Sequence, residues 1–216
     1  KIKVKRGETI KEFIIIRKDV VTPSIGYSNL YTNQIAILKV NQFLRGSGLR
    51  FRAELKDLIN KGAKSVVIDL RGNTGGIVKE SITMLSAFLP KNTLICELKS
   101  KDPKSNYKEF TKHDPITTKM PVVILIDKKT MSSAEIFAGA MQDLDRAVLV
   151  GERTFGKGLV QGTRVLADQS TLYVTAARYH LPSGRCIHKN QTINPFISPS
   201  QNQISQKQFT LNGRIV

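Results

Sequence analysis

The stretch from residue 120 to residue 161, MPVVILIDKKTMSSAEIFAGAMQDLDRAVLVGERTFGKGLVQ, carries the most informative pattern in this 216-residue chain. The apolar run over residues 121–126 is too short for a helix and predicts a buried strand. From Ser132 onward, apolar side chains recur at the spacing of one helix face. A second strand is predicted over residues 147–150, and a Phe-Gly-Lys-Gly loop follows it. This order of strand, helix, strand and loop predicts an α/β fold.

Two polar side chains in this stretch have the character of a nucleophile and its base. Ser132 stands where a strand gives way to a helix, among backbone N–H groups that can hold a developing oxyanion. Its hydroxyl becomes reactive when a neighbour removes the proton. Lys157, between two glycines, can be that neighbour only in its neutral form, which burial favours. Gln161 lies four residues later and can accept a hydrogen bond from the amine.

Each feature taken alone has a simpler interpretation. Ser132 and Glu135 have the spacing of a helix capping box, and a lysine between glycines is typical of a solvent-exposed turn. The joint pattern favours chemistry because it resembles a known family. That family is the carboxyl-terminal processing, or tail-specific, proteases, which are serine peptidases with a Ser-Lys dyad.

The resemblance can be followed residue by residue. The family's nucleophile motif is close to Ser-Ala-Ser-Ala-Ser-Glu-Ile, and its middle serine falls on Ser132. The first serine of the motif is replaced by Thr130 and the third by Ala134. Ser133, where the family usually has alanine, is the rival nucleophile.

The spacing of the dyad favours Ser132. In this family the lysine follows the serine by 25 residues, as Lys157 follows Ser132, and a glutamine follows four residues later. The resemblance therefore implies that Ser132, Lys157 and Gln161 are the catalytic residues.

A second signature lies at residues 69–76, with the sequence Asp-Leu-Arg-Gly-Asn-Thr-Gly-Gly. A strand is predicted before it over residues 65–70, and a helix after it over residues 77–89. Glycines at such a turn leave backbone N–H groups open for an anion. A plain turn is the alternative, whereas the G-x-G-x-x-G spacing of a Rossmann loop is not met. The resemblance implies that the N–H of Gly75 or Gly76, together with that of Ser133, binds the oxyanion.

The other predicted elements extend the same fold. They are a strand over residues 35–43, a helix over 49–60, a polar surface segment over 99–119 with a short hairpin around 106–107, and a hairpin that pairs 162–166 with 171–177. The segment 175–185 also resembles the family. By this resemblance the fold is a Clp-protease/crotonase-like core of sheets flanked by helices.

The ends of the chain differ from this core. Residues 1–22 predict two short strands around Gly7, of which the run over residues 13–21 is the stronger. By resemblance they are the last strands of a PDZ domain whose body is not in this chain. The peptidase core is then predicted over residues 23–216. Its tail from about residue 190 departs from the family pattern and is atypical or truncated.

The charge of the chain is strongly basic, at +17, from 34 Lys and Arg against 17 Asp and Glu. A charge of this size favours binding to nucleic acid or to an anionic surface. However, the lysines are scattered singly along the sequence, and no nucleic-acid-binding motif is present. We therefore expect a solvated basic surface and no nucleic-acid partner. Cys96 and Cys186 do not establish a disulfide framework, and no histidine has metal-ligand spacing to them. We expect neither a metal nor a cofactor.

The function predicted from these features is a serine endopeptidase that cleaves polypeptides near their C-termini, on unstructured segments. By resemblance the expected location is the periplasm or cell envelope, with membrane or envelope association through a segment missing from this chain. Two alternatives remain open. One is a crotonase-type acyl-CoA enzyme, and the other is a catalytically silent protein that binds peptides or polyanions.

Overall fold

The computed structural model describes residues 1–18, 22–189 and 208–216. Within these ranges the chain forms eleven strands and three α-helices. In chain order they are β1 (Ile2–Arg6), β2 (Thr9–Phe13), β3 (Ile25–Tyr31), β4 (Ile35–Val40), α1 (Ser47–Asn60), β5 (Ser65–Asp69), α2 (Val78–Leu85), β6 (Leu94–Ser100), β7 (Tyr107–Phe110), β8 (Val122–Ile126), α3 (Ser133–Asp143), β9 (Val148–Gly151), β10 (Leu159–Val165) and β11 (Thr171–His180).

A five-stranded sheet in the order β3-β4-β5-β8-β9 forms the centre of the fold. Strand β3 is antiparallel to β4, and the other pairs are parallel. Every second residue of β4 is buried, as a pleated strand with one covered face requires. The ends of β5 and β8 lie side by side, because Asp69 pairs with Leu125. The two turns that follow these strands therefore meet at one edge of the sheet.

Helix α3 is the most deeply buried of the three helices, and it contacts α2, β6 and β9. The largest buried side chains near it include Phe43 and Phe137, whose ring centroids are 6.2 Å apart. Gly139 allows the close approach of the turn after β11, because a methyl group there would lie 2.4 Å from Leu181 Cδ1. The helix that begins at the candidate serine is thus fixed by packing on several sides.

A second, antiparallel sheet in the order β10-β11-β6-β7 carries the lysine loop at its edge. Strand β10 begins two residues after Lys157 and pairs with β11 over its whole length. A β-bulge separates Val160 from Gln161, which redirects the side chains at the start of this edge strand.

The predicted order of elements is confirmed through most of the core. The strands at 65–70 and 121–126, the helices at 49–60 and after Ser132, and the hairpin of 162–166 with 171–177 are all present. The helix predicted over 77–89 is shorter and ends at Leu85. Strands β3 and β6 were not predicted.

The prediction of a strand over residues 13–21 is wrong for residues 14–18, and its last part, residues 19–21, lies outside the described residues. Strand β2 ends at Phe13, and the described residues 14–18 are exposed and outside any strand. The apolar run Ile14–Ile16 is more than half exposed at each position, so nothing in the described residues packs against it. Most of the predicted atypical tail, residues 190–207, lies outside the described residues. Residues 208–216 fold back at a bridge between Phe209 and Ile215.

The described helices include none that is long and apolar enough to cross a membrane. Both cysteines are free thiols. Burial, together with the charge of Glu109, raises the pKa of the Cys96 thiol to about 12, so this sulfur is inert near neutral pH.

Candidate functional site

Ser132 occupies a strained position between the turn after β8 and the first residue of α3. Its backbone has φ 59° and ψ −123°, a region that costs a residue with a side chain about 1–3 kcal/mol. The conformation is held because Ser132 O accepts hydrogen bonds from the N–H of Glu135 at 2.8 Å and of Ile136 at 3.1 Å. A strained serine at the start of a helix is the local geometry of a nucleophile elbow.

Ser132 and Ser133, the two candidate nucleophiles, differ in burial. Ser132 is only partly buried, whereas Ser133 is 0% exposed and its Oγ has no hydrogen-bond partner among the described residues. A substrate can therefore reach the Ser132 hydroxyl but not that of Ser133. The backbone N–H of Ser133 belongs to the first turn of α3, where N–H groups lack intrahelical acceptors.

The glycine turn after β5 lies directly against Ser132. A methyl group at Gly75 would lie 2.8 Å from both Ser132 Cβ and Met131 O, and Gly75 has a φ of 98°. Only glycine satisfies both conditions. The two candidate oxyanion donors are therefore next to the nucleophile turn.

The two glycines of this turn differ in what their N–H groups do. Gly75 N–H donates to Asn73 Oδ1 at 2.8 Å. Gly75 O accepts from Phe43 N at 3.0 Å, and the following peptide bond is trans, so the N–H of Gly76 points away from Phe43. Among the described residues no acceptor engages Gly76 N–H, and this group remains open for a ligand.

Glu135 connects the nucleophile turn to the lysine loop. Its side chain is almost fully buried, at 4% exposure. One carboxylate oxygen accepts from Gly156 N–H at 2.6 Å, and the other accepts from Lys157 N–H at 2.8 Å and Ser132 N–H at 2.9 Å. The sequence pattern indicated only a capping residue here, because nothing in it places the lysine loop beside the start of the helix.

The lysine loop is further fixed by its backbone. Phe155 N–H donates to Thr130 O at 3.0 Å, and Lys189 N–H donates to Gly156 O at 3.0 Å. The loop opens on a cavity of about 330 Å³ lined by Phe155, Gly156, Lys157, Leu159, Gln161 and His188. Lys157 and Gln161 therefore line one cavity, together with a histidine that no sequence motif indicated.

Lys157 itself is exposed. The burial that we expected for its side chain is therefore not provided by the described residues.

Asp127 joins the glycine turn to the nucleophile turn. Its Oδ1 accepts from the N–H of Gly72 at 2.9 Å, the N–H of Lys129 at 3.0 Å and the hydroxyl of Thr130 at 3.1 Å. Burial acts to raise the pKa of Asp127, but these donors outweigh it and hold the pKa below its usual range. Thr130, at the first position of the serine motif, shares its one hydroxyl proton between Asp127 Oδ1 and Leu70 O, the latter at 2.9 Å, and its oxygen accepts from Asp127 N–H at 3.0 Å, so its hydroxyl is structural.

Asp69, at the end of β5, anchors the other side of the glycine turn. It accepts from Arg71 Nε at 3.0 Å and Nη2 at 2.9 Å, and Lys39 Nζ lies 3.3 Å away. Burial acts to raise the pKa of Asp69, but the Arg71 hydrogen bonds and the Lys39 charge outweigh it and lower the pKa. The carboxylate is therefore ionised at neutral pH and fixes the start of the turn.

The chain is similar to known proteins in both sequence and structure. The sequence profile described as peptidase family S41 matches residues 34–198. The chain is 33% identical over 174 residues to the carboxy-terminal processing protease CtpA of Bacillus subtilis, an alignment that covers 81% of this chain and 37% of that protein. It is 35% identical over 155 residues to the carboxyl-terminal-processing protease of Synechocystis, covering 72% and 36% respectively.

Among solved structures, the photosystem II D1 C-terminal processing protease superposes with a TM-score of 0.70 and 25% identity. The match covers 80% of this chain and 47% of that one. The chain thus spans less than half the length of these relatives.

Proposed function

This chain belongs to peptidase family S41, and on that premise we propose that it is the core of a serine endopeptidase that cleaves polypeptides near their C-termini. Its substrates are unstructured C-terminal segments. The observation that carries the proposal is Glu135, because one buried carboxylate holds the backbones of both Ser132 and Lys157. That link gives a reason for the serine and the lysine loop to be neighbours.

The reaction proceeds through an acyl-enzyme. Neutral Lys157 takes the proton from the Ser132 hydroxyl, and the Ser132 oxygen attacks the peptide carbonyl. The N–H groups of Ser133 and Gly76 bind the negative oxygen of the tetrahedral intermediate. Protonated Lys157 then gives its proton to the leaving amine, and water hydrolyses the ester by the reverse sequence of proton transfers. Gln161 accepts a hydrogen bond from the Lys157 amine and directs its lone pair.

Substrate supplies the burial that Lys157 lacks. The lysine lies in an open cavity, so a polypeptide laid across the cavity removes water from the amine. Desolvation favours the neutral form of a lysine, and the base is then formed where the scissile bond is bound.

The remaining domain and location features belong to the same proposal. Among the described residues, strands β1 and β2 pair only with each other, and they are exposed at every residue. This supports their assignment within residues 1–22 to the end of a PDZ domain. Residues 23–216 are then the peptidase core, and its parallel strands with covering helices support a Clp-protease/crotonase-like fold. The family resemblance supports a place in the periplasm or cell envelope.

The test is proteolysis of an unstructured polypeptide by the full-length protein, with matched serine variants. Ser132→Ala removes the nucleophile and should abolish cleavage with folding intact. Ser133→Ala removes a buried hydroxyl that has no hydrogen-bond partner in the described part of the chain and should leave most of the activity. Cleavage by Ser132→Ala at the wild-type rate contradicts the proposal. If Ser133→Ala is folded but inactive while Ser132→Ala is active, the nucleophile is Ser133.

A further inference from the structure

His188 lies in the cavity of the lysine loop and has a ring nitrogen with nothing to bind. The cavity is lined by Lys157, Gln161 and His188, among others. The Nδ1 atom of His188 is buried and has no hydrogen-bond partner among the described residues. Burying a polar atom without a partner costs about 1–3 kcal/mol, so such an atom beside a functional side chain calls for an explanation.

Main-chain contacts fix the backbone of His188 against the lysine loop. Lys189 N–H donates to Gly156 O at 3.0 Å, and Ile187 N–H donates to Tyr179 O at 3.2 Å. A methyl group at Gly158 would lie 2.6 Å from His188 N, so the two segments approach closely only because a glycine stands there. The position of His188 relative to Lys157 is therefore set by main-chain contacts on both sides.

We propose that His188 is a second positioning residue for Lys157, which accepts a hydrogen bond at Nδ1 from the lysine amine. This inference rests on the proposed function. In the tautomer with the proton on Nε2, Nδ1 is an acceptor. A neutral amine has two N–H groups and one lone pair. With Gln161 accepting one N–H and His188 the other, the lone pair is left for the Ser132 proton.

The two N–H groups of the neutral amine explain why a single acceptor does not fix the direction of its lone pair. With a single acceptor the amine rotates about that hydrogen bond, and its lone pair spends much of the time away from Ser132. Small misplacements of catalytic groups cost as much as about 100-fold in rate. The loss should appear in kcat and not in KM, because the bond acts on the base and not on bound substrate.

The experiment measures kcat and KM on one unstructured peptide with the full-length wild type and variants at His188. His188→Leu keeps bulk and removes the acceptor, and we expect kcat to fall about 10- to 100-fold with KM and melting temperature unchanged. His188→Asn places an amide oxygen near the position of Nδ1 and should restore most of kcat. His180→Leu is the control, because His180 Nδ1 already lies 3.3 Å from Arg178 O and His180 does not line the cavity. It should keep wild-type kcat.

Three results overturn the inference. Wild-type kcat in His188→Leu shows that the acceptor is not used. An increase in KM alone shows that His188 contacts substrate, and equal losses in His188→Leu and His188→Asn show that an acceptor at Nδ1 is not what matters. A fourth result concerns the proposed function and not His188. If the wild-type protein neither cleaves the peptide nor reacts with a fluorophosphonate probe, the proposed function itself is rejected.

Discussion

At the scale of single residues, the site depends on two backbone conformations that few residues adopt. Ser132 has a positive φ despite its side chain, and Gly75 has a positive φ and almost no free volume. The two residues are in contact, so the strain at Ser132 and the requirement for glycine belong to one local arrangement. A strained serine is kept only where its surroundings determine it fully.

Gly75→Ala should lower kcat more than Gly72→Ala, a substitution in the same turn. Both positions have positive φ, at 98° and 73°, but a methyl group at Gly72 meets nothing within 4 Å. Gly72→Ala should therefore cost only about 1–2 kcal/mol of unfolding free energy, with kcat kept. Gly75→Ala pushes Ser132 and Met131 aside and should cost more stability and lower kcat about 100-fold or more. Urea unfolding and peptide kinetics measure both, and a Gly75→Ala enzyme with wild-type kcat is the contrary result.

At the scale of elements, two carboxylates join three turns that are far apart in sequence. Glu135 joins the start of α3 to the lysine loop, and Asp127 joins the glycine turn to the turn after β8. Each carboxylate accepts several backbone N–H groups, which an ionised carboxylate does better than any neutral side chain. The geometry of the candidate site is thus held by these side-chain bonds together with backbone bonds between the same loops, from Phe155 N–H to Thr130 O and from Met131 N–H to Asn73 O, both at 3.0 Å.

Glu135→Gln should lower both stability and activity. The amide has one oxygen for three N–H donors, so at least one N–H loses its acceptor and faces an NH₂ group instead. We expect a loss of about 1–3 kcal/mol in unfolding free energy and a fall in kcat of at least about tenfold. Asp57→Asn is the control, since its ion pair with Lys61 is exposed and worth about 0–1 kcal/mol. Equal effects of the two substitutions on kcat would contradict the role of Glu135.

The pKa of Asp127 predicts how the link responds to acid. Because its pKa is lower in the folded chain, its contribution to stability is fully present above the usual aspartate value of about 3.9. That contribution is lost as pH falls through the lower folded value. Urea unfolding from pH 3 to pH 7 should therefore show a smaller acid-dependent loss of stability in Asp127→Asn than in wild type. An unchanged pH slope would mean that Asp127 makes no charge-dependent contribution.

Sequence patterns predicted those elements in which local propensity and packing agree. Strand β5 and helix α1 have regular apolar spacing, and both are found where expected. Strand β3, with the sequence IGYSNLY, contains glycine, serine and asparagine and is an edge strand, so its pairing with β4 is not visible in its own composition. The run over residues 13–21 failed for the opposite reason, since it is strand-like in composition but its described residues after Phe13 belong to no strand.

The residues of the candidate site also fall into two groups, those that the sequence predicted and those that only the structure shows. Ser132, Lys157, Gln161 and the glycine turn were predicted from motif spacing. The glycine turn lies against Ser132, and Lys157 and Gln161 line one cavity. The connecting role of Glu135 and the presence of His188 depend on contacts between segments that lie 21 to 32 residues apart. Such contacts leave no mark in local periodicity, so only the folded chain could show them.

At the scale of the whole molecule, a buried carboxylate at the end of α3 ties the two sheets together. Asp143 is 0% exposed and accepts from Ser183 N–H at 3.0 Å and from Arg185 Nε at 2.8 Å. These donors lie in the turn that follows β11. The backbone oxygen of Asp143 also accepts from Leu211 N–H at 2.9 Å, so the segment of residues 208–216 joins the same point.

Asp143→Ala should be among the most destabilising substitutions in the chain. It leaves the Arg185 guanidinium, whose side chain is 20% exposed, without its carboxylate. Removing one partner of a buried pair costs about 3–5 kcal/mol. Asp145→Asn is the control, since asparagine tolerates the φ of 50° at this position and only a more exposed pair with Arg214 is lost. Melting temperatures of both variants measure the difference, and similar values would show that Asp143 is not a structural centre.

The most direct test of the account is the position at which a serine-directed probe attaches. The full-length protein is treated with a fluorophosphonate, digested and analysed by mass spectrometry. We predict one adduct, on Ser132, which disappears in Ser132→Ala, persists in Ser133→Ala, and forms much more slowly in Lys157→Met, where no base remains. An adduct on Ser133, or acylation of Ser132 at the same rate with and without Lys157, would contradict a Ser132–Lys157 dyad.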